Sequence, residues 1–170
     1  MTTVALAPGP TYPGARGAVY LPIVAVAPLD PVDVFYDLLF HDSRQQRPRL
    51  TVCKALEAGA SKRAWGLANG EPFLHTDSQG RHANGIARAF GCNLPATYSD
   101  DANYVESLCA GSADAQVMFD SLARSPHHSI HLFGLNSFFA EQHHVGIGMA
   151  YNPESAYGWY WVAWIARCGD

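Results

Sequence analysis

The chain has 170 residues, of which 48% are apolar and 15% charged, and a formal net charge of −4. That length suits one domain with ample material for a core. The acidic balance excludes the basic footprint of a nucleic-acid or anionic-membrane binder, and no run approaches the ~18 consecutive apolar residues of a membrane span.

Residues 1–30 differ in composition from the rest. MTTVALAPGPTYPGARG is rich in Pro, Gly, Ala and Thr without periodicity, so it reads as an N-terminal arm or linker ahead of a domain over 31–170. GAVYLPIVAVA (17–27) has the apolarity of a signal h-region, but Pro22 interrupts it, only Arg16 precedes it and Pro28 follows it. Two readings remain open for this stretch. It is a spacer left after removal of a leader, or an extended arm that adds a strand to the domain edge.

Pro31-Val-Asp33 opens a helical stretch with Val32, Phe35 and Leu39 on one face. SRQQRPRL (43–50) lacks interleaved aromatics and reads as a solvated helix end. Residues 53–69 repeat the helical period through Leu56, Ala60, Ala64, Leu67 and Ala68, with Lys62 and Arg63 taken to lie off the stripe and Gly70 as a stop. A short helix over 83–90 ends at Gly91. Ser112 and Asp114 suit the start of another, with Val117, Met118 and Leu122 facing inward until Ser125-Pro126 breaks it.

The C-terminal third changes period. In VGIGMAY (145–151) large residues alternate with Gly, Gly and Ala; NPESAYG (152–158) supplies a turn; WYWVAWIA (159–166) is apolar on both faces, as a strand covered on both sides should be. The order is therefore helices first, then an antiparallel hairpin sheet between helical layers. That describes an α+β, three-layer α-β-α sandwich with a central antiparallel sheet. Trp161 and Trp164 belong to its core.

Cys53, Cys92, Cys109 and Cys168 include no C-x-x-C pair, which counts against a zinc ribbon or thioredoxin-like chemistry. Their even number permits two disulfides in an oxidising compartment, with three connectivities open, or four small buried hydrophobes. The chain also lacks H-E-x-x-H, G-x-S-x-G, a P-loop and a dinucleotide fingerprint.

HTDSQG (75–80), NYVESLCAG (103–111), a helix ending LARSPHHSIHLFG (122–134), HVGIGMAY and a closing aromatic strand follow one another in that order. This order resembles the bacterial branch of the CAP superfamily (cysteine-rich secretory proteins, antigen 5 and pathogenesis-related 1), also called SCP-like domains. The resemblance covers roughly residues 32–167. It implies a cavity lined by two histidines and one or two acidic residues, which in some members holds a divalent metal. By position these are His75, Glu106 and His128. The second acidic position falls near Ser125, so that carboxylate is missing. Arg44 matches a polar motif that ties the first helix to the sheet. The departures are Val-Glu-Ser for Gly-Glu-Asn, Leu122 for a tryptophan, and the insertion LNSFFAEQHH, in which Phe138 and Phe139 either cover an apolar groove or pin the loop.

The residues make chemical sense by themselves. Two neutral imidazoles, His75 and His128, with one carboxylate form a divalent set for zinc with an open fourth position. His131, one helical turn after His128, is an additional ligand or a partner that orients the first. Without metal, a Glu beside a His raises the imidazole pKa and makes a general-base pair. In a zinc-dependent hydrolase His75 and His128 would hold the metal and Glu106 would be the catalytic group that activates the bound water. His127, His143 and His144 read as solvated or rim residues, and His41 and His82 as surface.

Three functions follow. The first is a secreted, non-catalytic CAP-type binding domain, extracellular or on the cell surface. Its cavity of His75, Glu106, Ser125, His128 and His131 takes zinc or another divalent metal, and an apolar groove accepts a lipid or peptide. The second is a zinc-dependent hydrolase using the same cavity. The third is a cell-surface or appendage module, structural or adhesive, that self-associates or joins a partner chain through residues 1–30. The absence of a catalytic motif and of the second carboxylate favours the first.

Overall fold

The computed structural model describes residues 28–169, so the readings made for residues 1–27 lie outside the described residues. The elements are α1 (Pro31–His41), β1 (Thr51–Val52), α2 (Lys54–Ala68), α3 (Ala83–Ala89), β2 (Glu106–Ala110), α4 (Ala115–Arg124), α5 (Pro126–Phe133), α6 (Ser137–Ala140), β3 (His144–Tyr151) and β4 (Trp159–Ala166). Local chemistry sets their ends. The Asp30 carboxylate accepts from Val32 N at α1, and Asp114 accepts from Gln116 N and Val117 N at α4. Pro126 opens α5, and Gly134 closes it at φ +66°, a left-handed position that suits glycine.

The sheet order is β1-β3-β4-β2. β3–β4 and β4–β2 are antiparallel, and the two-residue β1 joins β3 in parallel. Alternation along β4 separates two cores. Tyr160, Val162, Trp164 and Ala166 pack with α2 and α3, while Trp161, Ala163 and Ile165 pack with α1, α4 and α5. Hence the sandwich has three layers, with α2 and α3 on one face and α1, α4 and α5 on the other. Both tryptophans are fully buried.

α2 lies very close to the hairpin. A Cβ built on Gly146 would come within 2.1 Å of the Leu56 backbone, and one on Gly148 within 2.3 Å of the Ala60 backbone. The two glycines of VGIGMAY therefore remove side chains where the helix backbone must sit.

Several expectations are corrected. The strands do not all follow the helices, because β1 precedes α2 and β2 precedes α4. β2 was hidden because ESLCA is only five residues long and shows no alternation that distinguishes strand from helix. Val117 is 48% exposed, since Ala115, Met118, Phe119 and Leu122 already form the inward face of α4. The 43–50 stretch is not simply solvated. Arg47 is buried, donating from Nη1 to Leu132 O (2.9 Å), from Nη2 to His131 O (2.6 Å) and from Nε to Phe139 O (3.1 Å). It ties this loop to the C-terminal carbonyls of α5, whereas Arg44 pairs with Asp42 and lies over the Phe133 ring.

One disulfide, Cys92–Cys168, is present among the described residues, and Cys53 and Cys109 are free thiols. It fastens the end of β4 to the loop after α3.

Candidate functional site

β2 is an edge strand, so groups on both of its faces reach the same rim. Glu106 points towards α2 and Ser107 towards α5, by ordinary strand alternation. Asn103 fixes the start of the strand: its Oδ1 accepts from Glu106 N at 2.9 Å, and its Nδ2 donates to Glu106 O at 3.0 Å.

The Glu106 side chain is fully buried and every contact is a donor. Oε1 lies 3.0 Å from His75 Nδ1; Oε2 accepts from Trp164 Nε1 at 3.1 Å and from Arg63 Nε at 3.3 Å. Arg63, itself 2% exposed, also donates from Nη1 to Glu71 Oε2 at 2.5 Å and from Nη2 to the carbonyls of Leu74 and Thr76. Those two carbonyls flank His75. A single guanidinium thus holds the carboxylate and the loop that delivers the imidazole to it. The loop is tightened further by Asp77, whose carboxylate accepts from Gln79 N and Arg81 N and pairs with the Arg81 side chain, interactions that hold it below the usual carboxylate range against the opposing effect of burial.

On the other face, His131 Nε2 lies 3.1 Å from Ile165 O, and Nδ1 lies 2.8 Å from Ser107 Oγ. A carbonyl only accepts, so Nε2 carries the proton and Nδ1 accepts from the serine hydroxyl. Burial pushes the His131 pKa down to about 3, with Arg47, His128 and His75 acting in the same direction. Both nitrogens are used, so His131 is a buried support and not a ligand. The Ser107–His131 pair has a hydroxyl beside an acceptor imidazole, both buried, and the downward shift of His131 weakens it as a base.

Together these residues enclose a cavity of about 150 Å³ lined by His75, His127, His128 and His131, with Asn103, Tyr104, Glu106, Ser107 and Phe139. Burial lowers the His128 pKa, and His75 and His127 add to the shift, so its imidazole is neutral at pH 7. The residues brought together are therefore His75, Glu106, His128 and His131. Ser125 is not in the lining; it is the junction residue between α4 and α5. His127 stands at the cavity and not merely in solvent. In the insertion, Phe138 packs on Tyr98 and Tyr104, and Phe139 packs on His131, so the loop is pinned as a cavity wall.

For a divalent cation the donor set is partial. Glu106 holds His75 through Nδ1, leaving Nε2 free, which is how a carboxylate orients a metal-ligating histidine. His75 Nε2 and His128 are two donors; among the described residues no three His, Cys, Asp or Glu side chains converge as a ligand group. Cys109 is a buried free thiol, and burial pushes its pKa up to about 12, which disfavours the thiolate.

Two residues were missed from sequence. Arg63 was placed off the α2 stripe, although it lies seven residues after Leu56 and four before Leu67, which is on it. Ser107 gave no signal until Glu106 was known to lie in a strand.

The comparisons with known proteins bear on the fold. An outer surface protein from Borrelia burgdorferi superposes with a TM-score of 0.54 at 16% identity, covering 82% of this chain and 87% of that one. An extracellular protein containing an SCP domain, from Bacillus anthracis, superposes with a TM-score of 0.60 at 15% identity, covering 80% of this chain and 40% of the other. The chain has the SCP-type fold. The order of elements and the helical layers on both faces of the sheet are thus those of an SCP-type, or CAP-like, α+β sandwich. No family model matches the chain, and no curated protein sequence does.

Proposed function

We propose that this is an extracellular CAP-type binding module, non-catalytic, whose His75–Glu106–His128 cavity takes a divalent cation or a comparably small polar ligand. The SCP-domain and outer-surface character of the two structural neighbours supports the location, as does the Cys92–Cys168 disulfide, because such bonds persist in oxidising compartments. The observation that carries the reading is the saturation of Glu106. With Arg63, Trp164 and His75 on its two oxygens, the carboxylate orients an imidazole and is not held free to take a proton from water. The cavity volume, about 150 Å³, is well below the roughly 300–1,000 Å³ of sites for drug-sized ligands, so a lipid or peptide would have to use a surface outside it.

Zinc calorimetry tests this on the parent, His75→Ala and His128→Ala, with circular dichroism as a control for folding. Binding by the parent, weakened at least tenfold in each variant, is the expected result. Equal affinity in all three, or none in the parent, would remove the cation from the proposal.

A further inference from the structure

A cleft of about 480 Å³ opens where the turn between β3 and β4 meets the C-terminal end of α2. The two are tied together. Asn152 Nδ2 donates to Ala68 O at 2.9 Å, and Asn152 Oδ1 accepts from Glu154 N at 3.0 Å, which sets Glu154 in the turn. On the helix side, Glu71 N donates to Gly66 O at 3.0 Å, and a Cβ on Gly66 would come within 2.5 Å of the Glu71 carboxyl, so the glycine makes room for it. Three rings share the wall. Phe73 lies 5.4 Å from Tyr157 and 5.9 Å from Tyr160 between centroids, and the two tyrosines are 5.9 Å apart, all tilted or edge-on and none stacked. Tyr160 is buried, whereas Phe73 and Tyr157 are exposed.

We propose that this cleft binds a small alkylammonium cation, held against the three rings and beside Glu71 and Glu154. Rings this close together let one cation stand within the ~6 Å reach of all three centroids, where each ring quadrupole attracts it. The charges around the cleft set the sign of the ligand. Its lining holds Glu71 and Glu154 and, among the described residues, no Lys, Arg or His. Arg63 pairs with Glu71 and takes up part of that charge, so Glu154 carries the larger share. Leu67, Ala68 and Asn69 bring the end of α2 into the lining, where helix carbonyls carry partial negative charge, and the last turn of α2 has no basic residue. The volume falls within the roughly 300–1,000 Å³ of small-ligand sites. A phosphate beside the ammonium would meet the same negative groups, so the occupant is a free cation and not a choline lipid headgroup. None of this rests on the His75 cavity.

An NMR titration of the full chain with choline, and with its uncharged isostere dimethylbutanol, tests this. Choline should shift the ring signals of Phe73, Tyr157 and Tyr160 and bind about tenfold more tightly than dimethylbutanol. Tyr157→Leu keeps apolar bulk but removes a ring, and Glu154→Gln keeps size but removes a charge. Both positions are exposed, so folding should survive, and each variant should bind choline about threefold to tenfold more weakly. His75→Ala should bind choline as the parent does, which keeps this result separate from the zinc experiment. No choline-dependent shift in the parent overturns the proposal, as does parent affinity in both cleft variants. Equal affinity for choline and dimethylbutanol overturns it by making the cleft a plain apolar groove. Sedimentation with phosphatidylcholine vesicles, abolished by Tyr157→Leu, overturns it by making a lipid headgroup the occupant.

Discussion

Arg63 and Glu106 meet at 3.3 Å with side chains 2% and 0% exposed, one from the middle of α2 and the other from the first residue of β2. Buried charges tolerate this only when paired, and each is held by further groups: Glu71 and two carbonyls for the arginine, Trp164 and His75 for the glutamate. The pair therefore fixes where His75 can stand.

Removing one partner should cost far more than removing both. Arg63→Met leaves Glu106 buried and uncompensated, with a loss of about 3–5 kcal/mol in urea unfolding. Adding Glu106→Gln should recover part of that loss. If Arg63→Met costs under about 1 kcal/mol, the pair does not organise the site.

The pH dependence has a defined sign. His131 is neutral in the folded protein, its pKa driven down to about 3, whereas an unfolded histidine titrates near 6.5. Below 6.5 the unfolded state binds a proton that the folded state refuses, so its stabilising contribution is complete above 6.5 and is lost progressively as pH falls towards 3. The downward shift of His128 acts in the same sense. Between pH 6.5 and 4.5 the parent should lose about 2–3 kcal/mol. His131→Gln should show a shallower loss over that range, and an equal slope in both would refute the assignment.

Most of the fold was legible in the sequence because its signals are local: caps, breaks, one clear helical stripe and a strand of alternating glycine. Those glycines mattered more than alternation suggested, since they let α2 lie against β3. Gly148→Ala should destabilise the protein by about 1–3 kcal/mol through overpacking against Ala60, while Ala150→Gly, nearer the hairpin end, should cost less. The site was legible only where chemistry clusters along the chain, as in the histidines of α5. What α2 contributes was concealed: an arginine on an apolar stripe looks misplaced until the carboxylate facing it is known. The roles of His131 and Ser107 depend on a strand too short to announce itself.

The cysteines give a last prediction. The Cys92–Cys168 bond joins residues 76 apart, and closing a loop of that size limits the unfolded chain by about 4–5 kcal/mol in the chain-entropy account. Cys92→Ala should lower the melting temperature clearly, and a reductant should lower that of the parent but not that of the variant. Thiol counting under native, non-reducing conditions should find one reactive group in the parent, Cys53, which is partly exposed. Cys109 is buried with its thiol pushed up to about 12, so it should react only after unfolding. Three or more thiols reacting in the native parent would mean that the bond is not formed.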